Sequence, residues 1–274
     1  MLHPGEVRHG EALNLRNLSN FVVRNLEAWY AAQADVPGVE VHRDPDITWM
    51  LSNGTTGSNS GTSLRFEASK AEHRLDQILE RYTEHGRGAG FWVDDDATPG
   101  NLAELLKQRG LRCRKRFPGM WCNLTRLPKI PVPKKIRIIQ TPHHSMYLRH
   151  PHPYFGPITT AIRRHELNRL AHLVAQWPKR FFDFVALDAG NRPVGACSMF
   201  VDESAAGFYD VGVLKTERNK GIGSAMMAHV LRFSREQGAT QAVLLASGMG
   251  HGMYQHAGFR EVCEIAYWYR SLKA

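Results

Sequence analysis

Long apolar runs are missing from this 274-residue sequence, because no stretch approaches the roughly 20 apolar residues that a membrane-spanning helix needs. The first residues, Met-Leu-His-Pro-Gly-Glu-Val-Arg, contain no apolar stretch of the signal-peptide type. These absences predict a cytoplasmic protein with no membrane partner, and we expect a monomer or homodimer. With 43% hydrophobic and 22% charged residues, the composition is that of a folded protein, and the length suits two domains.

Cysteine is scarce and shows no regular pattern. No two cysteines form a CxxC pair, and the four in the chain are Cys113, Cys122, Cys197 and Cys263. This spacing predicts reduced thiols rather than a zinc site or a disulfide framework. A group of histidines, His143, His144, His150 and His152, has no carboxylate or cysteine at a metal-ligand spacing. Ordinary histidines are therefore favoured there, and no metal is expected.

Acidic residues are absent from residues 107–137, which contain eleven lysines and arginines in a chain of net charge +9. A basic run of this kind can attract nucleic acid or another polyanion. A solvated strand followed by a linker is the simpler interpretation. We therefore do not expect a nucleic-acid partner, although the sequence leaves that alternative open.

A proline-rich linker divides the chain. Three prolines alternate with other residues over 127–133, which excludes both a helix and a central strand. This linker predicts two domains, 1–127 and 135–274. In the first, a polar loop over 52–63 follows an apolar run, and Ser69 and Glu72 at capping-box spacing predict a helix over 69–85.

The pattern after the linker changes from alternating to helical. A strand over 136–139 and a helix-rich stretch over 142–177 come first. Short turns then join apolar runs at 182–187, 194–201 and 208–214, as in an antiparallel meander. A helical face begins at Gly221 and ends before Gly238, and the apolar run 242–246 is typical of a strand parallel to 208–214.

The loop before that helix suits a phosphate group. The first N–H groups of a helix have no partner inside it, and the helix dipole adds positive charge there. Gly221 and Gly223 leave room for a phosphate, while Arg218 and Lys220 add full charges. A nucleoside-triphosphate loop would need Gly-Lys-Ser/Thr after its second glycine, and a dinucleotide fingerprint would need glycine where Met226 stands. Neither pattern is present, so the sequence does not match either of these two kinds of phosphate-binding loop.

The order strand, Arg-x-x-Gly-x-Gly, helix, strand, followed by Tyr-x-x-x-Gly-Phe at 254–259, resembles the acetyl-CoA-binding segment of the GNAT superfamily of N-acetyltransferases. The resemblance covers about 140 residues, and its specific matches lie within 208–259. It implies that acetyl-CoA is a co-substrate. The residues it implies for the pyrophosphate are Arg218, Asn219, Lys220, Gly221, Ile222, Gly223 and Ser224, and those for the pantetheine arm are Val211, Gly212, Val213 and Ser247. The sequence departs from the family at Lys215, where proline is common, and at Ser247, where asparagine is common.

The resemblance also implies the chemistry. An acetyl group would pass directly to a primary amine of a small molecule or peptide, and Tyr254 would protonate the departing thiolate. Asp210 is a candidate base beside Tyr209, but strand alternation can point it away from the cleft, and a water chain is an equal alternative. The acceptor would meet residues near His150, His152, Tyr154 and Phe155. A non-catalytic acyl-CoA-binding or sensing module is the alternative function.

An internal repeat is suspected in the first half of the chain. Residues 90–93, 99–106 and 109–111 repeat the order strand, loop, helix and Gly-apolar pair seen at 242–259. This copy lacks the glycine loop and has Leu106 at the tyrosine position. We therefore expect an α/β (α+β) fold of two tandem GNAT-like domains, each a mixed, mostly antiparallel sheet flanked by helices, with a degenerate first copy. The triplet Asp94–Asp96 between strand and helix is expected to be solvated.

Overall fold

A computed structural model describes residues 4–52, 59–130, 133, 135–141, 161–203 and 205–272. They form two compact units, each assembled from separate stretches of the chain. The first unit comprises Met1–Arg16, Leu26–Gly119 and Cys263–Ala274, and the second comprises Asn17–Asn25 and Met120–Val262. These units describe packing, and the domain limits 1–127 and 135–274 stay a prediction.

Six helices and eleven strands occur in the described residues. The helices are α1 (Pro4–Ala31), α2 (Ala71–Glu84), α3 (Leu102–Gln108), α4 (Ala161–Gln176), α5 (Ile222–Glu236) and α6 (His251–His256). The strands are β1 (Val39–Asp44), β2 (Ile47–Ser52), β3 (Ser60–Thr62), β4 (Ala89–Val93), β5 (Arg112–Asn123), β6 (Arg137–Gln140), β7 (Phe181–Leu187), β8 (Pro193–Asp202), β9 (Ala205–Val213), β10 (Gln241–Leu245) and β11 (Arg260–Arg270).

The sheet of the first unit has the strand order β1-β2-β3-β4-β11-β5. β1 with β2, β2 with β3 and β4 with β11 pair antiparallel, whereas β3 and β4 are parallel and are connected through α2. α2 buries one apolar face, which includes Leu75, Ile78 and Tyr82, against this sheet. Since the spacing of these residues is helical, the predicted amphipathic helix is confirmed.

The sheet of the second unit has the order β10-β9-β8-β7-β6. β7 to β9 form the predicted antiparallel meander, β6 pairs antiparallel with β7, and β10 pairs parallel to β9 after the crossover through α5. α5 buries Met226, Met227, Val230 and Leu231 in the core on one sheet face. On the other face, Leu167 of α4 packs against Val185 and Leu187.

The suspected internal repeat is confirmed by the order of elements and by matching backbone turns. The order strand, helix, parallel strand, short helix occurs as β3-α2-β4-α3 and as β9-α5-β10-α6. After α3 the N–H of Leu111 donates to the carbonyl of Leu106, and after α6 the N–H of Phe259 donates to the carbonyl of Tyr254. Leu106 and Tyr254 are therefore equivalent positions in the two copies.

Several elements differ from the sequence predictions. The sequence analysis did not identify α1, β1 or β11. No capping box forms at α2, since Lys70 is the N-cap residue and the Ser69 hydroxyl donates to Glu67. The interpretation of the acidic triplet as solvated is wrong for Asp94, whose buried carboxylate accepts a 2.9 Å bond from Arg65.

In the described parts of the chain, no helix is long and apolar enough to cross a bilayer. No three potential metal ligands cluster in those parts either. All four cysteines are free thiols. The histidine group at 143–152 lies outside the described residues.

Gly207 of β9 gives a test of the packing of α1 on the second unit's sheet. A methyl group at Gly207 would lie 1.8 Å from Oδ1 of Asn25, a residue that is 1% exposed. We expect Gly207→Ala to lower the free energy of unfolding by about 1 to 3 kcal/mol. In Gly252→Ala the added methyl meets nothing within 4 Å, so stability should stay equal or rise by up to about 1 kcal/mol. Urea denaturation of both variants is the measurement, and equal stability would contradict the packing described.

Candidate active site

A bulge in β9 determines which side chains face each side of the second unit's sheet. Between Tyr209 and Gly212, β9 has one more residue than the partner segment of β8, and Asp210 has a φ of +52°. Phe208 and Val211 both pack on the core beneath α5. The two residues between them, Tyr209 and Asp210, therefore face away from α5. Strict alternation would have placed Asp210 on the same face as Phe208.

The same bulge ends the pairing between β9 and β10. The parallel ladder runs from Ala205, opposite Gln241, to Phe208, opposite Leu244. Beyond Phe208, β9 continues to Val213 paired with β8. Among the described strands, none pairs with the other edge of Val211–Val213. Backbone groups on this edge are therefore available to an extended ligand between the two strands, apart from the carbonyl of Val213, which accepts a bond from Arg218.

The glycine loop follows directly from this open edge. After β9, a 3₁₀ turn over Lys215–Glu217 leads to Gly221, the N-cap residue of α5, at a φ of +76°. No side chain caps this helix, and its first internal bond is from the N–H of Ala225 to Gly221. The N–H groups of the first turn therefore have no partner within the helix, an arrangement that suits an anion.

The charges around the loop are more balanced than the sequence suggests. Glu217 accepts hydrogen bonds from Lys220 (2.9 Å) and from Arg192 (2.8 Å). The bond from Lys220 is the larger cause, and that from Arg192 the next, of a lowered pKa of the Glu217 carboxyl. Arg218 donates its Nε–H to the carbonyl of Val213 over 3.1 Å. Arg192, in the turn between β7 and β8, was not identified from the sequence because it is distant along the chain.

Gly223 has a packing reason that the phosphate interpretation did not include. A methyl group there would lie 2.6 Å from Sδ of Met253, on α6, and 3.7 Å from Val213. Gly223 therefore permits α6 to pack closely against the first turn of α5. This contact holds the short helix that carries Tyr254 next to the glycine loop.

Tyr254 is 6% exposed, and its ring packs edge-on against Phe259 at 5.9 Å. A methyl group at Gly250 would lie 3.3 Å from Cζ of Tyr254 and 3.4 Å from Oγ of Ser247. The hydroxyl end of the ring thus lies near the turn that follows β10. Ser247 supports that turn by accepting the N–H of Gly250.

A buried carboxyl lies on the sheet face that Asp210 shares. Asp183 of β7 is 2% exposed, is opposite Ser198 in the register, and accepts its hydroxyl at 2.9 Å. Burial raises the pKa of Asp183 to about 8, and the negative charge of Asp210 adds to the rise. Ser198 in turn is opposite Tyr209, whose hydroxyl donates to Oδ1 of Asn25 at 2.8 Å. A polar stripe therefore crosses β7, β8 and β9.

Sequence reasoning missed Asp183 and Ser198, although a signal was present. Asp183 is the one charged residue in the apolar run Phe181–Leu187, and such a residue in a fully buried strand suggests a specific role. Cysteine is a poor nucleophile candidate here. Burial raises the pKa of Cys122 to about 11 and that of Cys263 to about 12, and it raises the pKa of Cys197 as well.

The predicted acceptor residues His150, His152, Tyr154 and Phe155 lie outside the described residues. The predicted residues that are described lie on consecutive elements around the start of α5 and the open edge of β9. Their roles in binding and catalysis stay predictions.

Comparison with known proteins identifies this arrangement. Residues 180–261 match the sequence family described as an acetyltransferase (GNAT) domain. A search of curated protein sequences returns no significant match.

Solved structures share the fold over nearly the whole chain. A GCN5-related N-acetyltransferase from Kribbella flavida is 14% identical with a TM-score of 0.65, and the match covers 90% of this chain and 96% of that one. A GCN5-related N-acetyltransferase from Sphaerobacter thermophilus is 15% identical with a TM-score of 0.58, and the match covers 93% of this chain and 92% of that one. A tandem GNAT protein from the clavulanic acid biosynthesis pathway is 13% identical with a TM-score of 0.60, and the match covers 87% of this chain and 85% of that one. Residues 180–261 therefore match a GNAT acetyltransferase domain, and the chain as a whole shares its fold with GCN5-related N-acetyltransferases and with a tandem GNAT protein.

Proposed function

We propose that this protein transfers the acetyl group of acetyl-CoA to a primary amine of a small molecule or peptide. The observation that carries the proposal is the open edge of Val211–Val213, which leads directly to the uncapped first turn of α5. An extended arm that ends in a pyrophosphate suits this combination. The arm would pair with strand backbone, and the anion would accept the helix N–H groups.

The residues present suit such a co-substrate. Acetyl-CoA would supply the activated acetyl thioester. Gly221 and Ser224 belong to the first turn that would receive its pyrophosphate, and Arg218 and Lys220 are exposed beside it. Val211, Gly212 and Val213 would offer backbone groups to the pantetheine arm, and Ser247 lies at the end of β10.

The proposed reaction moves two protons. The amine nitrogen forms the new bond to the acetyl carbon and loses a proton, while the carbon–sulfur bond breaks and the thiolate gains one. We assign the first proton to Asp210, which the bulge directs away from the core, and the second to Tyr254. Because the pKa of Asp183 is raised to about 8, Asp183 is mostly protonated at pH 7. Asp210 would then carry the single negative charge of the pair.

Two measurements on the same protein test the proposal. A thiol-release assay with a panel of amines reports turnover, and calorimetry with CoA reports binding. Turnover with one bound CoA per chain is expected, because the first copy lacks the glycine start. Binding without turnover on any amine would favour an acyl-CoA sensing module, and absence of binding would refute the assignment.

Ser224→Asp tests the pyrophosphate position without disturbing the fold. An aspartate at the third position of α5 should stabilise the ligand-free helix by about 0.3 to 1 kcal/mol. The same charge should weaken CoA binding by about 100-fold or more, since it would face the pyrophosphate. Ser224→Ala is the control and should bind CoA within a few-fold of the parent. Unchanged affinity in Ser224→Asp would rule out this position. Gly223→Asp is a poorer test because the side chain would collide with Met253.

Tyr254→Phe tests the proton donor. The ring contact with Phe259 should remain, so acetyl-CoA affinity should stay within a few-fold of the parent. Turnover should fall about 100-fold or more where thiolate departure limits the rate. The loss should be smaller with a donor whose leaving thiol is more acidic. Parent-like turnover with acetyl-CoA, with chemistry shown to be rate-limiting, would make Tyr254 a packing residue.

Asp183→Asn distinguishes the role of the Asp183 carboxyl from that of the Asp210 carboxyl. A folded pKa above the ordinary 3.8 means that this group's contribution to stability is complete below pH 3.8 and is lost as the pH rises through about 8. The parent should therefore lose stability across this window, with a slope of up to about 1.4 kcal/mol per pH unit, and Asp183→Asn should lose less. At pH 7 the variant should keep most of its turnover, whereas Asp210→Asn should lose it. Inactive Asp183→Asn with an intact fold would identify Asp183 as the base instead.

A further inference from the structure

The first unit contains a basic cavity that the proposed reaction does not use. It has a volume of about 920 Å³, within the usual range for small-molecule sites. Arg112 and Arg114 of β5 line it together with Arg270 at the end of β11. Thr83, Arg109 and Gly110 also contribute to the lining.

Among the described residues, none of these three arginines has a carboxylate within ion-pair distance. Burial lowers the pKa of Arg270 and the charge of Asp76 opposes this, but the Asp76 carboxylate is held by Arg109 at 2.7 Å. Within the described parts of the chain, three guanidinium groups therefore share one cavity without matching negative charge.

The orientation of two of the arginines is fixed. Arg270 donates to the carbonyl of Arg109 at 3.0 Å and to the hydroxyl of Thr83 at 3.4 Å. Its guanidinium is half-buried, and burial lowers its pKa. The Arg114 guanidinium lies 5.8 Å from the centre of the Tyr269 ring, a cation–π contact. Groups held in this way lose little freedom when a ligand binds.

Ion pairs interrupt the basic segment on both sides of Arg112 and Arg114. Lys107 pairs with Glu104 at 3.6 Å, and Arg116 pairs with Glu264 at 2.6 Å. Arg109, as noted, is held by Asp76. The pairs on both sides of Arg112 and Arg114 therefore interrupt the track of positive charge that a nucleic-acid backbone would follow. Arg112 and Arg114 lie on one face of β5, roughly 7 Å apart.

We propose that this cavity binds a small molecule carrying a phosphate or pyrophosphate group. A single carboxylate would leave two of the three cations unmatched, whereas a phosphate-bearing ligand provides several charges and acceptor oxygens for guanidinium forks. The site is separate from the glycine loop of α5, since all of its residues belong to the first unit. The degenerate copy would thus be a second ligand-binding domain.

Titration of the full-length protein with inorganic pyrophosphate, followed by calorimetry at constant ionic strength, tests this proposal. Excess CoA is present so that the glycine loop is occupied. We expect Arg112→Gln/Arg114→Gln to weaken pyrophosphate binding by about tenfold or more. The matched control is Arg126→Gln/Lys129→Gln, which removes the same charge from the same basic segment outside the cavity and should bind like the parent.

Further arms identify the site and the ligand. Lys220→Gln alters only the glycine loop, so unchanged pyrophosphate binding in this variant supports a separate site even if CoA itself fails to bind. Arg270→Lys keeps the charge but loses the fork, and weaker binding in it supports the geometry. No binding to the parent, equal weakening in the cavity and control pairs, or loss in Lys220→Gln alone would overturn the proposal. Tighter, steeply salt-dependent binding of duplex DNA or RNA through the same arginines would overturn it in favour of a nucleic-acid surface.

Discussion

The extra residue in β9 is the constraint on which the candidate active site depends. A strand that kept its alternation would bury Asp210 beside Phe208 under α5. With the bulge, Asp210 accepts a positive φ, a conformation that costs a non-glycine residue on the order of 1 kcal/mol or more. The same residue moves the end of β9 out of register with β10. One local irregularity therefore opens a strand edge and turns a carboxyl toward Asp183.

The sequence was informative where chemistry and local geometry coincide. Positive-φ glycines at Gly221 and Gly238 mark the two ends of α5, and both positions were correctly predicted from the sequence pattern. The meander, the crossover through α5 and the repeat followed from apolar periodicity. These features depend on neighbouring residues, so a linear pattern carries them.

What the sequence could not predict depends on distant partners. The direction of Asp210 follows from the register between β8 and β9, which no periodicity encodes. Lys220 looks like a free cation in the sequence, but Glu217 and Arg192 share its charge. Likewise, the basic segment reads as one continuous run of charge. Its members differ in the structure because Asp76 and Glu264, both distant along the chain, neutralise Arg109 and Arg116, whereas Arg112 and Arg114 have no carboxylate partner among the described residues.

The second copy keeps the glycine start of its crossover helix, whereas Lys70 begins the equivalent helix of the first copy. At the equivalent of Tyr254 the first copy has Leu106, which is fully buried. Loss of these two features removes the reasons to bind a thioester there. The fold itself does not need them, because α2 and α3 still pack through their apolar faces.

The placement of β11 affects the order in which the protein is completed during synthesis. Ala266–Arg270 pairs with β4, although more than 170 residues separate these strands in sequence. While the ribosome is still making the second unit, β4 lacks this neighbour, and Phe91 and Trp92 lie on an uncovered strand edge. All stretches of the second unit have left the ribosome before Cys263–Arg270, the part of β11 that belongs to the first unit. The first unit is therefore completed after the second, and it is the one exposed to misassembly if translation stalls.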